Sequence, residues 1–492
     1  MMGMHEPQKE MFSYQVDLDK RVRSDHPLRR INEVVDWNLI RGEVKACYGY
    51  NGNVSVDPAQ VMKLLFLLFY DNVESERELM RIVRERLDYL WFLGWGLDDE
   101  VPDHSVLSKA RKRWGSEVFE RLFIRIVQRC VEAGLVEGRK IHVDGSLVDA
   151  DASKNSVVKG SPELIEALRD AYQAQAKKLD EPEETATGQK YHEPVNDRAM
   201  STTDPDAALV RKNADSRPRY KHHRVIDDAK GVITAVETTP GSVKENGPLM
   251  RLVEQHETNT QVEVETVVAD RQYGTAENFR ACYERGIRSH MGDLLEPQKE
   301  KGRREGIFPQ EAFQYDARTD TYRCPAAQVL NRRKHKTTRK CFEYAALGST
   351  CSACRLRAQC TRAHGTARTI KRHYGQEAIE AARAESHSAQ GQRDRARRQW
   401  LLEGSFADAA NNHGFKRARW RRLWRQQIQD YLIATIQNVR ILLRHAGSPL
   451  NAAVAAACSP LPTSTTLSLL RCRCSQSDHH STRTLEIIFS DN

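Results

Sequence analysis

The chain has 492 residues, of which 39% are hydrophobic and 29% are charged, and it carries a formal net charge of +9. On a prior of about 100–200 residues per domain, this length predicts two to four domains with enough apolar residues for globular cores. No apolar run approaches the roughly 20 residues that span a bilayer, and the N-terminus shows no hydrophobic signal region. We therefore expect a cytoplasmic protein with no membrane partner, whose eleven cysteines are reduced or bound to metal.

The first 135 residues have the apolar spacing of helices. Val61, Leu64 and Leu68 share one stripe in a predicted helix over residues 57–70. Further helices are predicted over residues 75–93, from Pro102 onward, and over residues 119–131, ending near Gly134. A helical N-terminal domain over residues 1–135 could read a nucleic-acid sequence, or it could supply a packing or dimer surface.

A different pattern starts at residue 136. A buried strand is predicted over residues 140–145, which include Asp144, and a hairpin over residues 219–240. Polar residues 156–200, with one helical piece, look like an inserted connector. Residues 246–291 then predict a helix, a Val-rich strand that leads into Asp270, a second helix and a short strand.

This order of elements is strand, hairpin, helix, strand, helix, strand. It differs from regular βαβ alternation, and it predicts an α+β or mixed α/β fold with the first part of a ribonuclease H-like core over residues 136–292. Residues 293–375 form a basic, Cys-rich insertion. Residues 376–446 are the C-terminal helical part of the core, with helices near 392–410 and 423–444, and we expect residues 447–492 to be a poorly ordered tail.

Positive charge is concentrated in two segments. Residues 331–375 contain twelve Lys and Arg with the single acid Glu343, and residues 391–445 contain twelve Lys and Arg with four acids. Such segments suit a polyanion, most simply a nucleic-acid backbone. A solvated surface without a partner is the alternative that charge alone leaves open.

Five segments resemble, in the right order, the signatures of insertion-sequence DDE transposases. The first contains Asp144 in the sequence DGS, the second contains Asp270 in ADRQYG, and the third places Glu403 on a helix that a basic turn follows. Residues 201–212 and 220–228 resemble the family as well. Each motif alone is weak, and their order is what makes the resemblance specific.

The resemblance implies a bacterial, nucleoid-associated enzyme that cuts double-stranded DNA at terminal inverted repeats and joins the ends to a target, as a homodimer in a synaptic complex. It implies that Asp144, Asp270 and Glu403 hold two Mg²⁺ or Mn²⁺ ions. Carboxylates suit that role because Mg²⁺ prefers hard oxygen ligands, and two ions can assist both the attacking and the departing oxygen. Other acids, at positions 149, 151, 227 and 228, are interpreted as turn or supporting residues.

One part of the pattern departs from the family. Related enzymes carry Tyr, Arg and Lys on the last-acid helix at the positions that are here Ala396, Gln399 and Ala410. Reduced activity, a different helix register, or replacement by neighbouring basic residues would each explain the departure. The candidate DNA-binding residues are Lys221, Arg395, Arg398, Lys416, Arg417 and Arg419. The tryptophans at 400, 420 and 424 could stack on a base, although helix packing is the preferred interpretation.

Four cysteines in the insertion have the spacing C-x26-C-x2-C-x5-C, namely Cys324, Cys351, Cys354 and Cys360. The spacing resembles a zinc ribbon. A small basic segment with little core would gain folding energy from a structural Zn²⁺. His364 is a spare ligand, and a set of free thiols is the alternative.

Three functions therefore stand side by side. The first is a transposase that cleaves and joins DNA. The second is a catalytically impaired, transposase-derived DNA-binding protein, which the altered helix around Glu403 motivates. The third is a ribonuclease H-like nuclease without strand transfer.

Overall fold

The computed structural model of the protein describes residues 16–48, 55–178, 196–213, 215–294, 306–363 and 366–445. The predicted tail at 447–492, residues 179–195 of the predicted connector and the spare ligand His364 lie outside the described residues. Within these ranges, no helix is both long enough and apolar enough to cross a membrane.

Helices make up most of residues 18–132, as the apolar spacing predicts. They are α1 (Leu18–Arg21), α2 (Pro27–Val34), α3 (Asn38–Val44), α4 (Pro58–Tyr70), α5 (Glu76–Val83), α6 (Leu87–Leu93), α7 (Ser105–Trp114) and α8 (Glu117–Glu132). The prediction of one helix over residues 75–93 is wrong, because α5 and α6 are separate. Arg86 takes an extended backbone conformation between them, and its Nε donates to Oδ1 of Asp88 at 2.8 Å.

The central helix α4 begins where its sequence provides a cap. Oδ1 of Asp57 accepts a hydrogen bond from the backbone N–H of Ala59 at 3.0 Å, and Pro58 occupies the first helical turn. Every side chain from Leu64 to Phe69 is buried. A helix that is apolar on all sides lies inside a core, so α4 is a central element of the helical region.

The sheet region follows with β1 (Lys140–Asp149), β2 (Val157–Lys159), β3 (Ala199–Ser201), β4 (Ala208–Lys212), β5 (Asp215–Asp227), β6 (Ile233–Pro240), β7 (Thr266–Ala269) and β8 (Arg288–Met291). β2 and β3 pair only with each other. The other six strands form one sheet in the order β4-β5-β1-β7-β8, with β6 also on β5. β5 is antiparallel to β1, β4 and β6, whereas β1, β7 and β8 are mutually parallel. The sheet is therefore mixed.

Helices accompany these strands as predicted. They are α9 (Pro162–Lys178) in the connector, α10 (Leu249–Thr260) after β6, and α11 (Ala276–Glu284) between β7 and β8. The predicted mixed α/β fold with a helical N-terminal region is confirmed at this level.

The basic insertion contains a sheet of its own, which the sequence analysis did not predict. Its strands are β9 (Gln314–Asp316), β10 (Thr321–Arg323), β11 (Val329–Lys336), β12 (Cys341–Ala345) and β13 (Ile370–His373), paired antiparallel in the order β13-β12-β11-β10-β9. Two short helices, α12 (Gly348–Ser352) and α13 (Arg357–Cys360), lie between β12 and β13. Tyr322, Leu330 and Tyr344 are buried in a small separate core.

Three helices complete the described chain: α14 (Gln376–His387), α15 (Ala389–His413) and α16 (Leu423–His445). Apolar side chains of α16 share one buried cluster with the N-terminal helices and with sheet residues such as Ile226 and Ile233. A second cluster joins Ile141 and Val267 of the sheet to α10, α11 and α14. The segments on either side of residue 135, proposed above as separate domains, thus share a core.

Candidate active site

Asp144 and Asp270 lie side by side, each directly after the last paired residue of the neighbouring parallel strands β1 and β7. β1 pairs with β7 so that Val143 is the partner of Ala269, and each aspartate is the next residue in its strand direction. Val143 and Ala269 are 0% exposed, so packing holds both strands in place. Because the strands are parallel and in register, they present both carboxyl groups at the same edge.

Local hydrogen bonds orient these carboxylates. Oδ1 of Asp144 accepts from the backbone N–H of Gly145 at 2.8 Å, and Oδ1 of Asp270 accepts from the backbone N–H of Gln272 at 2.6 Å. Burial raises the pKa of the Asp144 carboxyl; Arg398 opposes the rise, and the negative charge of Asp270 adds to it. Two acids that repel each other in a partly buried place are a setting that a divalent cation would stabilise.

Helix α15 is fixed against this edge by buried polar contacts. Near its start, Asp394 accepts from Nδ1 of His290 at 2.8 Å and from Nζ of Lys140 at 3.0 Å. Farther along, Oγ of Ser405 accepts from Nη1 of Arg224 at 2.7 Å. Asp394 and Ser405 are about three helical turns apart and therefore share one face. That face of α15 rests on the sheet.

The same face carries Arg398, whose Nη1 lies 2.9 Å from Oδ2 of Asp144. Leu402 and Ala409, which also lie on it, are buried. The helix therefore presents a cation, rather than an acid, to Asp144 in the middle of β1.

Glu403 lies elsewhere on α15. Five residues beyond Arg398 correspond to a rotation of about 140° on an α-helix. The Glu403 side chain is exposed, and its Oε1 accepts a hydrogen bond from Nε2 of Gln399 at 3.1 Å. The structure thus brings together Asp144 and Asp270 and places Glu403 on the solvent side of the helix. In the described part of the chain, no three His, Cys, Asp or Glu side chains are arranged to hold a metal ion.

The sequence analysis missed one carboxylate near these two aspartates, that of Glu245 in the loop between β6 and α10. A Cβ placed on Gly145 would lie 3.3 Å from Cγ of Glu245, so this side chain reaches the backbone next to Asp144. Burial raises the pKa of Glu245; Lys221 opposes the rise, and the charges of Asp270 and Asp144 add to it. The only signal in the sequence was an acid in a glycine-containing turn after the hairpin, which does not indicate a site by itself.

Two buried polar groups beside these acids have no hydrogen-bond partner among the described residues. They are the hydroxyl of Tyr273 and Nδ1 of His223, and both residues are 0% exposed. Burial, followed by the negative charges of the neighbouring acids, raises the pKa of Tyr273 well above its usual value. Nδ1 of His223 lies 3.3 Å from the Cβ position on Gly145 that Glu245 also approaches. Buried polar groups normally have a hydrogen-bond partner in the protein, a ligand or an ordered water.

Three of the predicted DNA contacts are engaged inside the protein. Lys221 is buried, and its Nζ donates to the backbone oxygen of Val243 at 2.6 Å. Arg419 donates to Oδ1 of Asn72 at 2.5 Å, and Arg395 donates to the hydroxyl of Ser386. Arg398, a fourth candidate, bonds Asp144 as described above.

Two other predicted DNA contacts, Lys416 and Arg417, lie near Asp144. Nζ of Lys416 donates to Oγ of Ser146 at 2.7 Å, two residues after Asp144. The side chain of Arg417 is 76% exposed, and its Nη2 lies 3.7 Å from Oδ1 of Asp151. Arg417 therefore has the greatest freedom to reach a phosphate.

Other candidate residues serve the fold. Asp227 accepts from the backbone N–H groups of Gly138 at 2.8 Å and Ala229 at 2.9 Å, which agrees with its interpretation as a turn residue. Trp420 packs edge-on against Phe69 with ring centroids 5.4 Å apart, and the indole at 424 is buried in the main core. The indole at 400 is 71% exposed.

The four cysteines with the zinc-ribbon spacing, Cys324, Cys351, Cys354 and Cys360, line one small cavity of about 30 Å³. The backbone N–H of Gln328 lies 3.4 Å from Sγ of Cys324, and the intervening Ala327 has a left-handed φ of 58°. Burial raises the pKa of the Cys360 thiol, and the charges of Cys351 and Cys324 add to the rise. Cys324 follows β10, Cys351 and Cys360 lie in α12 and α13, and Cys354 lies between these helices, so residues distant in sequence line one cavity.

Two segments of the chain match known families. Residues 16–113 match a family described as a transposase domain, DUF772, and residues 323–443 match a family described as a transposase DDE domain. The second match includes residues 323–375 of the insertion and Glu403, whereas Asp144 and Asp270 precede it. No curated protein matches the chain.

A cryo-EM structure of the piggyBac transposase synaptic complex with hairpin DNA is also similar, with a TM-score of 0.26 and 9% sequence identity over 91% of this chain and 88% of that chain. A likeness at that score supports no conclusion about the site. The chain thus carries, in this order, one segment that matches a DUF772 transposase domain and one that matches a transposase DDE domain.

Proposed function

We propose that the protein is an active transposase, which uses a divalent cation to cleave DNA at the ends of its element and to join those ends to a target. The observation that carries the proposal is the position of Asp144 and Asp270, side by side where the parallel pairing of β1 with β7 ends. Transposition as the process is supported by the two family matches.

A ribonuclease H-like core is part of this proposal. β6, β5 and β1 are neighbours and antiparallel, and β7 and β8 continue the sheet parallel to β1. In sheets with parallel strands, ligands bind outside the carboxyl ends of the strands. Asp270 occupies this location at the end of β7, and Asp144 lies beside it on β1, directly after the last residue that pairs with β7.

The donor set fits Mg²⁺ or Mn²⁺. Asp144 and Asp270 offer hard oxygen ligands on rigid neighbouring strands, and we propose Glu403 as the third acid on the strength of the resemblance. A bound cation would supply charge stabilisation at the phosphate and lower the pKa of the attacking water or DNA 3′-hydroxyl. Arg398 keeps the Asp144 carboxylate oriented, and Lys416 and Arg417 are proposed to bind phosphates beside it.

Double-stranded DNA is the proposed partner, first as terminal inverted repeats and then as target. The basic segment of residues 391–445 contains α15, which packs against the sheet with Arg398 bonded to Asp144. A duplex bound along this basic segment would therefore lie next to Asp144 and Asp270. Joining two ends to one target requires two active sites, which supports a synaptic homodimer.

The central experiment uses purified protein, Mg²⁺ and DNA that carries the ends of its element. We expect Asp144→Asn and Asp270→Asn each to abolish nicking and joining while the ends are still bound. Glu265→Gln is the control, because Glu265 is an exposed acid paired with Arg139 at 3.3 Å, away from this edge. Nicking by Asp144→Asn at the wild-type rate would show the proposal to be wrong.

One observation favours a second candidate, a DNA-binding protein without cleavage activity. Glu403 is exposed and bonded to Gln399, and Ala396 and Ala410 replace residues that related enzymes carry. Such a protein would bind the element ends, but the wild type would not nick them with Mg²⁺. A nuclease without strand transfer would nick DNA and fail to join pre-cut ends, so the joining assay distinguishes it.

We further propose a structural Zn²⁺ in the insertion. The four thiols at positions 324, 351, 354 and 360 line one cavity, and four thiolates are a ligand set that suits a structural Zn²⁺. The small core of this segment, built on Tyr322, Leu330 and Tyr344, would gain stability from such a cross-link.

A further inference from the structure

We propose that Glu245 becomes an additional carboxylate ligand of the divalent cation that Asp144 and Asp270 hold, when rotation of the three side chains brings together carboxylates that are not arranged around one metal ion in this structure. The inference rests on the proposed metal-dependent function and adds a residue that belongs to none of the three motif acids. It is carried by the way the loop of Glu245 is anchored, by its approach to Gly145, and by two buried groups that face the same place.

The loop that carries Glu245 is held from both sides. Before it, the backbone oxygen of Val243 accepts from Nζ of Lys221 on β5 at 2.6 Å. After it, the backbone oxygen of Asn246 accepts from Nδ2 of Asn278 on α11 at 3.1 Å. Two anchors within three residues leave the side chain of Glu245 little freedom to move away from the edge of the sheet.

The second anchor ties this loop to the turn after Asp270. Nδ2 of Asn278 also donates to the backbone oxygen of Tyr273, at 3.0 Å. One amide therefore connects the residue after Glu245 with the 3-10 turn Arg271–Tyr273, which Asp270 caps. The loop and the turn are thus positioned together.

On the other side, Glu245 reaches the middle of β1. Its Cγ would lie 3.3 Å from a Cβ on Gly145, the residue after Asp144, so the absence of a side chain there makes room for it. Nζ of Lys221 lies 4.0 Å from Oε1 of Glu245, and the Glu245 side chain is 28% exposed. The carboxylate is therefore partly buried, with a single cation at ion-pair distance, beside two other acids.

Two buried groups mark this place independently of the acids. The hydroxyl of Tyr273 and Nδ1 of His223 have no hydrogen-bond partner among the described residues. Tyr273 interacts electrostatically with all three acids, and Nδ1 of His223 lies 3.3 Å from the same Cβ position on Gly145. Mg²⁺ and Mn²⁺ sites keep several bound waters, which are suitable partners for such groups.

The test measures Mn²⁺ binding to the full-length protein without DNA, by electron paramagnetic resonance. We expect Glu245→Gln to weaken Mn²⁺ binding by about 10–100-fold, the range typical for loss of a group that supports a metal site. Glu254→Gln, an exposed acid on α10, is the matched control and should bind Mn²⁺ as the wild type does. Wild-type affinity in Glu245→Gln, together with loss of binding in Asp144→Asn, would overturn the inference.

A second variant guards against a folding defect. Glu245→Asp keeps the charge and shortens the side chain by one methylene, so it should weaken Mn²⁺ binding less than Glu245→Gln. Equal weakening in both variants would point to packing and overturn the inference. Thermal unfolding in EDTA should leave both variants close to the wild type.

The outcomes also separate this inference from the proposed function. A wild type that binds Mn²⁺ through Glu245 but does not nick element ends would contradict the proposed function and support the inference. If the wild type nicks the ends, and Glu245→Gln nicks them and binds Mn²⁺ equally well, the proposed function is supported and the inference is contradicted. A wild type that binds no Mn²⁺ would overturn both.

Discussion

Arg398 of α15 donates from Nη1 to Oδ2 of Asp144 at 2.9 Å and so joins a helix near the end of the described chain to the first strand of the sheet. Both side chains are largely buried, with 15% and 23% of their surface exposed. A buried acid that loses such a partner is left with its desolvation penalty. The contact therefore links the packing stability of α15 to the charge of Asp144.

We expect Arg398→Ala to lower the free energy of unfolding by about 1–3 kcal/mol in EDTA, because Asp144 then loses its charged hydrogen-bond donor. Mg²⁺ should reduce this loss, since a cation at the same carboxylate would replace the missing positive charge. Urea unfolding with and without Mg²⁺ measures both effects. Arg393→Ala, on the exposed side of the helix, is the control, and an equal loss for Arg398→Ala under the two conditions would contradict the prediction.

Asp204 stabilises the start of α16, the last described helix, through hydrogen bonds. Its Oδ1 accepts from the hydroxyl of Tyr220 at 2.6 Å and from the backbone N–H of Arg422 at 3.1 Å, immediately before α16. Asp206 accepts from the backbone N–H of Leu423 at 3.1 Å. Burial raises the pKa of Asp204 to about 7, and the charge of Asp206 adds to the rise.

We expect this group to make the protein less stable as the pH rises. Asp204 holds its proton more tightly in the folded state than in the unfolded chain, so its ionisation lowers the free energy of unfolding between about pH 4 and pH 7. Asp204→Asn keeps an acceptor and does not ionise. It should therefore be more stable than the wild type at pH 8, by at most about 4 kcal/mol, with a gain that shrinks toward pH 4.

Urea unfolding of Asp204→Asn and the wild type at pH 4, 6 and 8 checks this prediction. Asp25→Asn, at an exposed position, should show no such pH-dependent difference. A stability difference that stays the same from pH 4 to pH 8 would contradict the assignment of the titration to Asp204.

Zinc in the insertion is tested by metal analysis of purified protein. We expect about one Zn²⁺ per chain in the wild type and much less in Cys351→Ser and Cys354→Ser, because each substitution removes one of four thiolates. Chelator treatment of the wild type should lower its thermal unfolding temperature. Cys47→Ser, at an exposed cysteine, should retain the metal. Equal zinc content in all variants would exclude this site.

DNA binding should depend steeply on salt. Each phosphate neutralised by a Lys or Arg contributes about −0.9 to the slope of log affinity against log salt concentration. Arg417 is highly exposed and is proposed to contact one phosphate beside Asp144. Arg417→Ala should therefore make the slope shallower by about 0.9. Binding isotherms at several salt concentrations measure the slope, and Lys20→Ala, in α1, is the control. An unchanged slope for Arg417→Ala would remove it from the DNA interface.

Several elements were predictable because their signals are local. β1 and β7 follow from runs of β-branched residues, and α15 and α16 follow from helical spacing within a few residues of their observed ends. The sheet of the insertion was missed because its strands are short, and residues 331–335 on β11 are exposed and mostly basic. Short polar strands lack the apolar alternation on which such predictions depend.

The sequence by itself determined that Asp144 and Asp270 each lie next to a buried strand, because apolar β-branched runs must be buried wherever they occur. Only the tertiary structure decided which side chains meet these two acids. The rotation of α15 depends on buried partners from distant segments, Arg224 at Ser405 and His290 at Asp394, and these partners turn Arg398 inward and Glu403 outward. Glu245 reaches the same edge because Lys221 and Asn278 anchor its loop, and long-range contacts of that kind leave no periodic pattern along the chain.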